Sequence, residues 1–209
     1  MSSKIKPMLL VSAAAAALAL GTVAARAAPP DGDAFEFEMV RSPGLAAFPN
    51  CLPHARARVS IEKNGTVEEM RVRATGLPPK TDFDFFVIQV PNKPFGMSWY
   101  QGDVESNEHG RARQRFIGRF NEETFIVAPG SVPAPQVHSN AFPDAQTNPQ
   151  TGPVHTFHLG LWFNSPQDAA KAGCPADVTP FNGEHNAGVQ VLNTSNFPDL
   201  QGPLFNVKP

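Results

Sequence analysis

The stretch ARARVSIEKNGTVEEMRVRA, residues 55–74, decides the fold class of this chain. Its first half alternates Ala57, Val59 and Ile61 against Arg56, Arg58 and Ser60. Its second half alternates Met70, Val72 and Ala74 against Arg71 and Arg73. Period-two alternation puts one set on a buried face and the other in water, which is the mark of a half-buried strand. Asn64-Gly65 between the halves is a strong hairpin signal, because both residues tolerate the left-handed conformations of a two-residue turn. The expected register places Val59 opposite Met70, Arg58 opposite Arg71 and Arg56 opposite Arg73.

Working outward, Phe35-Glu36-Phe37-Glu38-Met39 alternates in the same way. Asp82–Val90 is apolar on both faces beyond Phe85 and predicts a central strand. Residues 98–104 and 111–120 predict a second hairpin around Asn107-Glu108-His109-Gly110. Thr124–Ala128, Val154–Phe163 and Val189–Leu192 continue the strand pattern. One short helix is expected, with Ser165 as its cap, Pro166 in its first turn, Asp168 near its N-terminal dipole and Gly173 as terminator. Pro129–Pro153 holds six prolines and no periodicity, so a long irregular loop is expected there.

Short strands at this spacing without βαβ alternation predict an all-β fold, an antiparallel immunoglobulin-like, Greek-key β-sandwich. The core is expected to hold Phe85, Val87, Ile88, Phe116, Phe157, Leu159, Leu161 and Val191. The phrase Ala74-Thr75-Gly76-Leu77-Pro78-Pro79, followed by a Phe-rich strand, is similar to fibronectin-type and immunoglobulin-like domains. That likeness covers only this short stretch and implies the same sandwich.

Residues 1–27 read as a signal peptide: Lys4 and Lys6, an apolar run from Met8 to Ala25, then Ala25-Arg26-Ala27 as the cleavage pattern. The chain of 209 residues carries 17 basic and 19 acidic side chains; without Lys4, Lys6 and Arg26 the remaining 182 residues carry 14 against 19, a net of −5. An exported, mildly acidic chain has no overall attraction to nucleic acid or anionic lipid. No second apolar run reaches the length of a membrane span. The two cysteines, Cys51 and Cys174, are expected to form one disulfide in an oxidising compartment, periplasmic or extracellular.

Two constellations bear on function. Eight of the nine arginines beyond residue 27 share strand parity: Arg56 and Arg58, Arg71 and Arg73, and Arg111, Arg113, Arg115 and Arg119. Each group therefore lines one face. Like charges across a strand pair must be neutralised, either by Glu36, Glu38, Asp82 and Asp84 or by an external anion, which arginine forks suit. Arg111, Arg113 and Arg115 are the candidate ligand residues, with Trp99 and Tyr100 as a small stacking site. The second constellation joins His158 to Glu184 and His185, as ligands for zinc or copper. Its spacing departs from the His-x-His pattern of copper/zinc superoxide dismutases, and plain hydrogen-bonded histidines are the alternative. No Gly-x-Ser-x-Gly elbow, His-Glu-x-x-His or Gly-rich phosphate loop occurs. The leading expectation is an exported, non-catalytic module whose loops and arginine faces hold an unidentified ligand, anionic or otherwise extracellular. The alternative is a His-ligated metal protein or a metal-dependent enzyme built on that site.

Overall fold

In a computed structural model, residues 34–120, 125–126 and 153–207 are described. The expected leader at 1–27 and all but the last residue of the expected 129–153 loop lie outside them. Ten strands follow in chain order: β1 (Ala34–Arg41), β2 (Arg56–Asn64), β3 (Val67–Thr75), β4 (Asp82–Ile88), β5 (Ser98–Glu105), β6 (Ala112–Gly118), β7 (Phe125–Ile126), β8 (Pro153–Val154), β9 (His158–Phe163) and β10 (Gln190–Asn193). Eight of them form one antiparallel sheet of order β5-β4-β9-β10-β1-β2-β3-β6, and β7 pairs with β8 in a small ribbon. The sheet is continuous because β1 serves two partners. It pairs with β2 over Ala34–Met39 and with β10 over Val40 and Arg41. The sheet curls until its end strands β5 and β6 lie beside each other, giving a nearly barrel-like body.

The alternation seen in the sequence is what closes this body. Phe37 and Met39 of β1, Val59 and Ile61 of β2, and Met70 and Val72 of β3 all point inward. They meet Phe83, Phe85, Leu159, Leu161 and Phe163 from the opposite half in one main cluster. Phe85 stacks on Phe116 with ring centroids 5.2 Å apart, tying the β4 side to β6. All eight expected core residues are buried. Ile88, however, belongs to a second cluster with Phe86, Phe95, Trp162 and Ala187. This cluster sits on the outer face of β4 and β9, under a loop that contributes Phe181, which packs 5.0 Å from Phe86 and 5.2 Å from Trp162. A strand apolar on both faces is explained by that cover.

The β2–β3 hairpin forms, but its register is two residues from the expected one. Val59 faces Val72, Ile61 faces Met70 and Arg58 faces Arg73, while Arg56 faces Thr75. The loop is Gly65-Thr66, not Asn64-Gly65, and only Gly65 takes a positive φ (67°). One glycine at the first loop position is the type II′ pattern, whereas Asn-Gly suggested type I′. A slip of two keeps every side chain on its expected face and changes only its partner.

The helix α1 (Pro166–Lys171) is built as the sequence predicts. Ser165 Oγ accepts from the Asp168 amide at 3.1 Å, and Gly173 ends the turn at φ 73°. Cys51 and Cys174 form a disulfide with Cα atoms 4.7 Å apart across 123 residues of sequence. No helix among the described residues is long and apolar enough to cross a membrane.

Candidate anion-binding face

The outward face of β2, β3 and β6 collects the arginines into rows. Arg58, Arg73 and Arg113 are in register on three adjacent strands, with Glu38 beyond Arg58 on β1. Two residues along, Ser60, Arg71 and Arg115 form the next row, and then Glu62, Glu69 and Ile117. Adjacent strands are about 4.8 Å apart, so three guanidinium stems span roughly 10 Å.

Carboxylates are distributed unevenly over these rows. Arg71 meets Glu62 at 2.9 Å and Glu69 at 2.7 Å, and Arg115 meets Glu69 at 3.2 Å. Arg119 lies 3.7 Å from Glu68. Glu68 and Glu69 are themselves buried, so these contacts hold their cations firmly at one end of the face. At the other end, Arg58 has only Glu36 and Glu38, each at 3.8 Å and exposed to water. Arg56, Arg73, Arg111 and Arg113 are exposed and make no ion pair among the described residues. Of the expected neutralisers, Glu36 and Glu38 serve, while Asp82 and Asp84 lie on β4, facing Glu105 and Asp103 of β5. Glu62, Glu68 and Glu69 take their place.

A tight turn delivers the unpaired pair at the start of β6, Arg111 just before the strand and Arg113 within it. Asn107 Oδ1 accepts from the amides of His109 (2.9 Å) and Arg111 (3.1 Å). Gly110 has φ 65°, and a Cβ there would lie 2.1 Å from the Leu77 carbonyl oxygen, so only glycine fits. Beyond this turn Arg111 and Arg113 line a cleft of about 440 Å³ with Asn107 and Glu105. Of the three arginines expected to face ligand, Arg111 and Arg113 are therefore open and Arg115 is engaged with Glu69. Arg73, aligned beside Arg113, completes the unpaired cluster. Sequence alone carried the shared parity but not the register that joins them; it marked Asn107 only as a turn residue, and nothing in it marked Glu105.

Trp99 and Tyr100 are both exposed, at 54% and 43%, and neither lines this cleft. The Tyr100 hydroxyl donates to Asp103, and its ring meets Phe86 edge-on at 5.6 Å. Burial first, and then the bond to Asp103, holds its hydroxyl pKa above the ordinary tyrosine value.

The histidine constellation is laid out differently from a metal centre. His158 is fully buried; its Nε2 faces the Asp199 carbonyl at 3.0 Å and therefore carries the proton. Its Nδ1 then accepts from the Thr194 hydroxyl at 2.8 Å, whose oxygen accepts in turn from the Leu159 amide at 3.1 Å. Both nitrogens are taken up by protein, and burial keeps the ring neutral by lowering its pKa. Glu184 and His185 sit exposed on the loop over the second cluster. Among the described residues no three His, Cys, Asp or Glu side chains are grouped to hold a metal ion.

Comparison with known proteins returns no matching family model and no matching curated protein.

Proposed function

We propose that the protein is an exported, non-catalytic binding module that holds a polyanionic ligand on the arginine end of the β2–β3–β6 face. The observation that carries this reading is the row Arg58-Arg73-Arg113, in which Arg73 and Arg113 stand side by side with no carboxylate partner among the described residues. Aligned guanidinium groups repel one another, and a ligand bearing several carboxylate, phosphate or sulfate groups relieves that repulsion with charge-assisted hydrogen bonds. Export is supported by the leader pattern at residues 1–27 and by a disulfide, which persists in oxidising compartments. We read the two halves of the sheet, bridged by β1, as the faces of an immunoglobulin-like, Greek-key sandwich. The shared core and the return of β6 to β3 after the β4–β5 hairpin support this.

Titration calorimetry with a sulfated tetrasaccharide tests the function. Arg73→Gln and Arg113→Gln are each expected to weaken binding about five- to tenfold, roughly 1–1.4 kcal/mol. Arg119→Gln, at the neutralised end, is expected to leave binding unchanged, and affinity should fall steeply as salt rises. Absence of binding at low ionic strength, or equal losses in all three variants, would refute the reading.

A further inference from the structure

A second cavity, of about 430 Å³, opens beside the disulfide. Its walls come from residues 42–48 after β1, the turn at 92–95, the segment 175–179 and the start of β10. This volume falls within the range of roughly 300–1,000 Å³ that small-molecule sites occupy. The walls are firmly built. Arg41 donates from Nη2 to the Leu45 carbonyl at 2.9 Å and the Phe48 carbonyl at 2.6 Å, and from Nε to the Cys51 carbonyl at 2.8 Å. The disulfide then ties this loop to Cys174, next to the wall residue Pro175.

Most of the lining is apolar, with Leu45, Phe48, Phe95 and Val189 the largest groups. The polar groups divide into two kinds. Ser42 and Gln190 are consumed by the fold: Ser42 Oγ donates to Gln190 Oε1 at 2.7 Å, and Gln190 Nε2 donates to the Pro91 carbonyl at 3.1 Å. Lys93, Asp177 and Thr179 are not. Lys93 and Asp177 line the same cavity without pairing with each other or with any other described residue. Thr179 also lines the cavity, and its hydroxyl, which is not sealed from solvent, makes no hydrogen bond among the described residues.

One unpaired ammonium and one unpaired carboxylate, both exposed, and an open hydroxyl around an apolar cavity match a ligand with complementary parts. We propose that this cavity binds a small zwitterion with an apolar body, of the kind an apolar amino acid represents. Its carboxylate faces Lys93, its ammonium faces Asp177, and its body packs on Leu45, Phe48 and Val189. The site shares no residue with the arginine face, so either can fail without the other.

Four probes of matched size separate the contributions: L-phenylalanine, phenethylamine, 3-phenylpropionate and 3-phenylpropanamide. Binding followed by titration NMR is expected to rank L-phenylalanine at least tenfold tighter than any of the other three. Lys93→Met should lower its affinity to that of phenethylamine, and Asp177→Asn to that of 3-phenylpropionate. Thr179→Val, which keeps the side chain's shape, should weaken L-phenylalanine several-fold, while Arg73→Gln leaves it unchanged. Equal affinity for all four probes, no binding by any, or charge variants that bind L-phenylalanine as the parent does would overturn the proposal.

Discussion

Asp84 shows how one buried side chain sets a pH dependence. It is 1% exposed, opposite Asp103 on β5, and accepts from the Asn182 amide at 3.1 Å. Burial pushes its carboxyl from 3.8 up to about 6; Asn182 opposes the rise, and Asp103 and Asp82 add to it. Between those values the native state holds a proton that the unfolded chain has released, so stability falls as pH rises through this window. Above it the buried charge remains as a fixed penalty. Asp84→Asn keeps an acceptor for Asn182 and removes the charge. Urea denaturation should show it about 1–3 kcal/mol more stable than the parent at pH 8, with the gain gone by pH 4; an equal effect at both would contradict the assignment. His158 works in the opposite sense. Its lowered pKa means that the unfolded chain takes up the proton first, so its contribution is lost as pH falls below about 6.5. Replacing it with alanine strands Thr194 and the Asp199 carbonyl, and a loss of about 2–4 kcal/mol is expected by the same measurement.

At the scale of elements, what was legible in the sequence was local. The helix α1 could be read residue by residue, because Ser165, Pro166, Asp168 and Gly173 act on their own backbone. The faces of β1, β2 and β3 followed from alternation, which needs no knowledge of partners. Pairing was less legible. Residues 98–120 read as a hairpin, but β5 and β6 share a single bridge, Ser106 with Ala112, before β5 follows β4 and β6 follows β3. That choice depends on stacking Phe116 over Phe85 across the core, which no local pattern records. The arginine row suffered from the same gap, since it depends on which strand β6 joins. Two glycines mark the turns that matter, and they should differ in cost. Gly65→Ala meets no atom within 4 Å and pays only for its positive φ, about 1 kcal/mol. Gly110→Ala adds the collision with the Leu77 carbonyl, and chemical denaturation should show a clearly larger loss.

Across the whole molecule, charge is sorted around the sheet. Arginines gather on β2, β3 and β6, while Asp82, Asp84, Asp103 and Glu105 gather on β4 and β5. The net charge, mildly acidic beyond residue 27, conceals this division. The disulfide joins segments far apart in the chain, and closing a loop of 123 residues stabilises by about 4–5 kcal/mol on chain-entropy grounds. A Cys51→Ser, Cys174→Ser double variant should lose stability of that order in equilibrium denaturation, and an unchanged midpoint would refute the role. Only one end of the arginine face is proposed to be open to a ligand. Arginine Nε–Hε signals, assigned by NMR and followed during titration with the sulfated tetrasaccharide, report on each guanidinium separately. Shifts are expected at Arg58, Arg73, Arg111 and Arg113, with Arg71, Arg115 and Arg119 held still by their glutamates. Uniform shifts across all seven, or shifts confined to the last three, would contradict it.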